Sequence, residues 1–257
     1  MAGGTDLLVL ISADQTPPPD RVLDIWGLDV LRGVTLEDDA LVIGALTTYT
    51  DLRRSRVIAD LLPALAEAAA TIGAAQIQNR GTVGGNLGNA SPAGDTLPLW
   101  LATDSQIVLG SASGERAVAA ADFFIGYRRT ARRDDELVVA VRVPLIPRRH
   151  LRFRKVGTRR AQAISKVVMA VSWQDGAARA WGEVRVALGS VAPTPIRARE
   201  TEAALQGRFP SSETGVAAFN ALSAELQPID DVRSTADYRR LVAGRILLRI
   251  LREEGGW

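Results

Sequence analysis

Gly81, Gly84, Gly85 and Gly88 cluster within TIGAAQIQNRGTVGGNLGNASPAGD, the stretch from Thr71 to Asp95, interleaved with Thr82, Asn86, Asn89 and Ser91. Glycines this dense leave main-chain N–H groups unscreened by side chains, and such groups cup an anion without help from lysine. The stretch therefore reads as a phosphate cradle. Tight turns also collect glycines, so spacing alone leaves that second reading open. Two standard nucleotide loops are excluded: GK[ST] is absent, and no GxGxxG stands between a strand and a helix. A second possible cradle lies at Gly3-Gly4-Thr5-Asp6, just before the apolar run Leu7 to Ile11.

The elements around these loops follow from pattern. Leu41 to Leu46 reads as a strand, Thr47 or Thr48 caps a helix through Leu52, and Leu61 to Ala70 reads as a helix of strong formers. Asp95 is placed to cap a short apolar helix, TLPLWLAT, with Trp100 in the core. Gln106 to Leu109 and Arg116 to Ala119 form a hairpin, Asp122 to Phe124 a turn of helix, and Leu137 to Pro144 a strand. Pro144, Pro147 and the residues up to His150 mark a boundary, dividing the chain into residues 1–147 and 151–257. Beyond it the pattern predicts three antiparallel strands, Leu151 to Val156, Lys166 to Trp173 and Glu183 to Val191, with Asp175-Gly176 as the turn between the last two. Helices over Arg197 to Leu205, Glu213 to Leu226 and Ser234 to Glu253 complete an α+β chain. The last opens on a Ser234-x-x-Asp237 capping box and buries Tyr238, Leu241, Val242, Ile246 and Leu248.

Composition limits the function classes. The 257 residues are 47% hydrophobic and 23% charged, a globular balance with a core of ordinary size. The net charge of +2 comes from both signs scattered along the chain, so no nucleic-acid stripe is formed. The arginines at 128, 129, 132 and 133 are offset at once by Asp134, Asp135 and Glu136. With no cysteine and one histidine, His150, the chain supplies neither thiolates for an iron–sulfur cluster nor a zinc site of its own. No signal-peptide pattern and no membrane-length apolar stretch are visible, which points to the cytoplasm.

Taken together, AGGTDL at Ala2 to Leu7 and RGTVGGNLGNASPAGD at Arg80 to Asp95 resemble the two flavin-pyrophosphate loops of the FAD-binding subunit of molybdenum hydroxylases. This family includes the medium subunits of bacterial carbon monoxide dehydrogenase and the flavin domain of xanthine dehydrogenase. FRKVGTRR at Phe153 to Arg160 resembles the family segment that passes beside the flavin ring. The resemblance implies a two-lobed FAD-binding domain of the vanillyl-alcohol oxidase and p-cresol methylhydroxylase type, followed by an antiparallel three-stranded sheet with a helical bundle. Family members carry a further strand and helix ahead of AGGTDL, so the N-terminal lobe is expected to be truncated.

Carried over residue by residue, the resemblance places Gly3, Gly4, Thr5 and Asp6 in the first pyrophosphate loop and Thr82, Gly84, Gly85 and Asn86 in the second. Asn89, Ser91 and Asp95 fall at the phosphate or ribityl region, Ile72 and Val138 at the apolar walls, and Lys155 beside the flavin. Val156 to Lys166 becomes a variable loop over the ring; Ala161, Gln162 and Ala163 stand there in place of the acidic residues found in members that reduce nicotinamide. The implied function is electron transfer. Electrons leave substrate at a molybdopterin on a large subunit, cross 2Fe-2S clusters on a small subunit and reach FAD on this chain, which passes them to an external acceptor. A dimer of heterotrimers is the implied assembly. Two rivals are a free-standing FAD-dependent oxidoreductase of the same fold and a cofactor-free structural subunit.

Overall fold

The computed structural model describes residues 1–159 and 162–257; Arg160 and Ala161, which belong to the FRKVGTRR segment and the loop after it, lie outside the described residues. The chain opens on a short helix, α1 (Leu7–Ser12), and a long irregular segment that leads to β1 (Val34–Leu36) and β2 (Ala40–Gly44). Thr48 then caps α2 (Tyr49–Arg54) in a full capping box: its hydroxyl accepts from the Asp51 N–H while the Asp51 carboxylate accepts from the Thr48 N–H. The expected single helix over 61–70 is interrupted, because Pro63 cannot continue the turn that ends α3 (Arg56–Leu61) and instead opens α4 (Pro63–Thr71).

The glycine-rich stretch is mostly helical. It contains α5 (Ala75–Arg80) and α6 (Val83–Asn89), the latter capped by Thr82, whose hydroxyl accepts from the Gly85 N–H. In the next helix, α7 (Leu97–Ala102), Asp95 is not the cap; Thr96 holds that position without a side-chain capping bond, its hydroxyl donating to Asn86 Oδ1 instead, and the Asp95 carboxylate is occupied elsewhere. The β3 (Gln106–Ser111) and β4 (Gly114–Ala119) hairpin forms as its pattern requires, followed by α8 (Ala120–Phe123), a small hairpin of β5 (Phe124–Gly126) and β6 (Arg129–Thr130), and β7 (Leu137–Pro144). Among the described residues, β1, β2, β7, β3 and β4 lie side by side in that order as an antiparallel sheet.

Among the described residues, the second sheet has four strands rather than three. To β8 (Arg149–Val156), β9 (Val167–Asp175) and β10 (Trp181–Gly189) it adds β11 (Ile196–Arg197), a two-residue edge too short for a periodicity signal. The link after Asp175 is also longer than a two-residue turn, with a 3-10 turn over Ala177–Arg179. Alternate residues of β9 serve different cores: Val168 and Ala170 join the cluster built from α4, α7 and the first sheet, while Val167, Met169, Val171 and Trp173 join the C-terminal helices. Those helices are α9 (Arg199–Leu205), α10 (Ser212–Glu225) and α11 (Ala236–Gly255).

On α11 the expected cap and face both shift. Thr235, not Ser234, caps it, its hydroxyl accepting from the Tyr238 N–H. Tyr238 and Leu241 are exposed, and the buried positions include Arg239, whose guanidinium donates to the carbonyls of Ser190 and Lys166 and to Asp231. A buried arginine is invisible to an apolar pattern, but here it satisfies the carbonyls left over at the ends of the central strands.

Candidate functional site

Thr47 and Thr48 fold the chain sharply from β2 into α2, and this corner is stitched to the glycine-rich stretch. The Tyr49 N–H donates to the Gly81 carbonyl at 3.3 Å and the Val83 N–H to the Thr47 carbonyl at 3.0 Å. The N-terminal glycines lie on the other side of the same stretch: a Cβ on Gly3 would fall 1.8 Å from the Arg80 carbonyl oxygen, so only glycine permits this approach. Between the two segments opens a cavity of about 870 Å³. That is within the range of sites that hold a cofactor-sized molecule.

Most of the residues singled out by sequence meet in this cavity. Gly3, Gly4, Thr5 and Asp6 line one side; Thr82, Gly85, Asn86 and Asn89 line the facing side; Ile72, Ser91 and Asp95 close the end. Gly84, Val138 and Lys155 are not part of the described lining. Gly84 packs on Ala45 and its N–H donates to the Ala45 carbonyl. Val138 sits in β7 opposite Leu109, against the core. Lys155 lies behind the wall, its ammonium donating to Asp95 Oδ2 at 2.6 Å and to the Thr71 carbonyl at 3.1 Å.

The main-chain donors of the two segments differ in what they already bond. In the glycine-rich stretch the N–H groups of Val83, Gly84, Gly85 and Asn86 are already bonded, to Thr47, Ala45, the Thr82 hydroxyl and the Thr82 carbonyl. Across the cavity, the N–H groups of Gly3, Gly4, Thr5, Asp6 and Leu7 have no acceptor among the described residues. The N-terminal segment is thus an open cradle, and in the second stretch the N–H groups of Gly73, Ala74, Thr82 and Ser91, which also line the cavity, likewise have no acceptor among the described residues.

Tyr49 is a lining residue that sequence reasoning missed. Its ring is 4% exposed and fits only because Gly81 carries no side chain; a Cβ there would meet the ring at 2.7 Å. The hydroxyl makes no hydrogen bond among the described residues. Burial pushes its pKa well up, and the charges of Asp6 and Asp95 push the same way, so the phenol stays a donor. No local signal links Tyr49 to Gly81, since the contact is made by folding alone.

Burial raises the carboxyls of both Asp6 and Asp95. At Asp95 the Lys155 ammonium and the Ser165 hydroxyl, which donates to Oδ1 at 2.5 Å, pull the other way. At Asp6 the opposing influences are the charge of Arg128 and a hydrogen bond from Asn89. A set of open main-chain donors, a neutral phenol, the side-chain NH2 of Asn86, whose Oδ1 accepts from the Thr96 hydroxyl, and an anchored carboxylate suit a ligand with an anionic bridge and hydroxyl groups.

The amino-acid pattern of this region is that of a known family. Residues 1–146 match the family model of the FAD binding domain in molybdopterin dehydrogenase, and residues 152–254 match that of the CO dehydrogenase flavoprotein C-terminal domain. The chain belongs to the FAD-binding medium subunits of molybdenum hydroxylases. It is 33% identical to the carbon monoxide dehydrogenase medium chain of Hydrogenophaga pseudoflava over 98% of this chain and 87% of that one. To the xanthine dehydrogenase FAD-binding subunit of Escherichia coli O157:H7 it is 32% identical, over 93% and 82%. Among solved structures, a carbon monoxide dehydrogenase from Hydrogenophaga pseudoflava superposes with a TM-score of 0.92 at 34% identity, covering 97% of this chain and 86% of that one. The mixed α+β architecture is thus that of the family, and its relatives are subunits of oxidoreductases.

Proposed function

We propose that this flavin subunit accepts electrons from 2Fe-2S clusters on a small partner subunit and passes them to an external acceptor, within a complex whose large subunit binds molybdopterin. Residues 1–147 would form the two-lobed cofactor domain of the vanillyl-alcohol oxidase type, and the assembly would be a dimer of heterotrimers. The observation that carries the reading is the cavity between two glycine segments, with open N–H donors on its walls and hydroxyl and carboxylate groups at its end.

When bound, FAD supplies the redox chemistry; the protein supplies position and electrostatics. The N–H groups of Gly3 to Leu7 would bind its pyrophosphate. Asp95, held by Lys155 and Ser165, has lone pairs left to accept from ribityl hydroxyls. Ile72 provides an apolar wall, and Gln162, Ala163 and Ile164 close one rim.

A free-standing oxidoreductase would want a general base at the cavity. His150 does not fill that role: it lies near the start of β8, hydrogen-bonded to Asp175 and stacked on Trp173, whereas Lys155 near the strand's other end is what reaches the cavity wall. The test is to co-express the chain with its partner subunits, release the cofactor with acid and identify it by chromatography. FAD is expected; FMN, or no flavin at all, would defeat the reading.

A further inference from the structure

The cavity offers an anionic guest main-chain donors, but its described lining offers no cation. Its described lining contains two carboxylates, Asp6 and Asp95, and among those lining residues there is no lysine or arginine. Lys155 offsets Asp95 and is committed to it. Asp6 belongs to the segment that offers open N–H groups, so a pyrophosphate bound there would approach a carboxylate with no cation in the lining to balance either charge.

The missing cation stands at the rim. Arg128 occupies the turn between β5 and β6, and its Nη1 donates to Asn89 Oδ1 at 2.6 Å, while its charge acts on Asp6. Among the described residues, only this one of the guanidinium's five N–H donors is used by another side chain. The backbone of Arg128 is left-handed, with φ of 51°, a conformation that costs a non-glycine residue energy and that collects at ligand sites. The base of the hairpin is fixed: Phe123 is fully buried, stacks edge-on against Phe124, and its carbonyl accepts from the Ala131 N–H. The tip, with Tyr127 and Arg128, is exposed. A rigid base and an exposed, strained tip bring one guanidinium to Asn89, a residue of the cavity lining.

We propose that Arg128 is the counter-cation for the phosphate part of the bound dinucleotide, held ready at the cavity by its hydrogen bond to Asn89. This rests on the FAD reading above and adds to it a binding residue on the β5–β6 hairpin. Because Arg128 is exposed, its substitution leaves the core untouched.

The experiment titrates FAD and, separately, riboflavin into the full chain and into Arg128→Gln, Arg128→Lys and Arg129→Gln, each at low and high salt. Arg128→Gln is expected to raise the Kd for FAD about 10- to 100-fold, the range of a hydrogen bond to a charged group, and to flatten its salt dependence. Riboflavin, which has no phosphate, should bind as before. Lysine at 128 should restore part of the affinity, and Arg129→Gln, with the same net charge, should behave as the unsubstituted chain. Unchanged FAD affinity in Arg128→Gln, an equal loss for riboflavin, or the same loss in Arg129→Gln would overturn the assignment while leaving the cofactor reading intact. Failure of the unsubstituted chain to bind FAD would overturn the cofactor reading, and this assignment with it.

Discussion

At the scale of single residues, the two groups with most to tell are Asp95 and Tyr49. Asp95 and Lys155 form a pair whose side chains are 10% and 7% exposed, so removing the carboxylate leaves an ammonium buried without its partner. Asp95→Ala should therefore destabilise the chain by about 3–5 kcal/mol, read as a lower urea midpoint, in addition to weakening FAD. Replacing both residues by apolar ones of similar volume should recover much of that stability while FAD binding stays poor. A double variant no more stable than the single would show that Lys155 is not what makes the loss large. Tyr49→Phe removes one neutral donor and no packing; a fall in FAD affinity of roughly 3- to 10-fold with an unchanged melting temperature is expected, measured by flavin titration and thermal unfolding. These two residues also mark how far the site was legible. Asp95 sits inside a recognisable motif, yet its sequence position suggested a helix cap, because nothing in the linear order discloses Lys155 and Ser165. Tyr49 has no motif at all, and its role exists only where Gly81 makes room for it.

At the scale of elements, local chemistry predicts well wherever the partners are local. The capping box at Thr48, the β3–β4 hairpin and the whole of β7 follow from nearby residues, and each forms as its pattern requires. Errors arise where the deciding partner is remote, as with Arg239 under α11, or where an element such as β11 is too short to repeat. The β4–β7 region gives a test of its own. Glu136, just ahead of β7, accepts two hydrogen bonds from Arg116 on β4, at 2.6 and 2.9 Å, and one from the Arg133 N–H. The Arg116 hydrogen bonds, aided by that backbone N–H, hold the Glu136 carboxyl down at about 2. A carboxyl lower in the folded chain than in the unfolded one adds stability that is complete above the ordinary glutamate range and is lost as pH falls toward the folded value. Urea midpoints from pH ~7 down to ~3 should thus decline more steeply for the unsubstituted chain than for Glu136→Gln. Parallel declines would mean that the Arg116 contact contributes nothing to acid sensitivity.

At the scale of the molecule, the two halves matched by separate family models share one strand. Val168 and Ala170 of β9 complete the N-terminal core, together with Phe153 and Ala187 from the neighbouring strands. Residues 151–257 expressed alone would bare that face, and they are expected to bind a hydrophobic dye and aggregate rather than unfold cooperatively. A sharp calorimetric transition from the fragment would disprove the shared-core account. The same strand has a consequence for descent. Most surface-lying strands have one phase on which substitutions accumulate freely, so homologues drift apart there while the buried phase stays put. From Val167 to Trp173 every position of β9 is buried, the odd ones answering to the C-terminal helices and the even ones to the cofactor half. Neutral drift in this strand is therefore blocked in both phases, and a change on either side needs an answering change in a different half of the chain. In a saturating library of variants, β9 should stand out as the segment where the tolerated substitutions show no alternation.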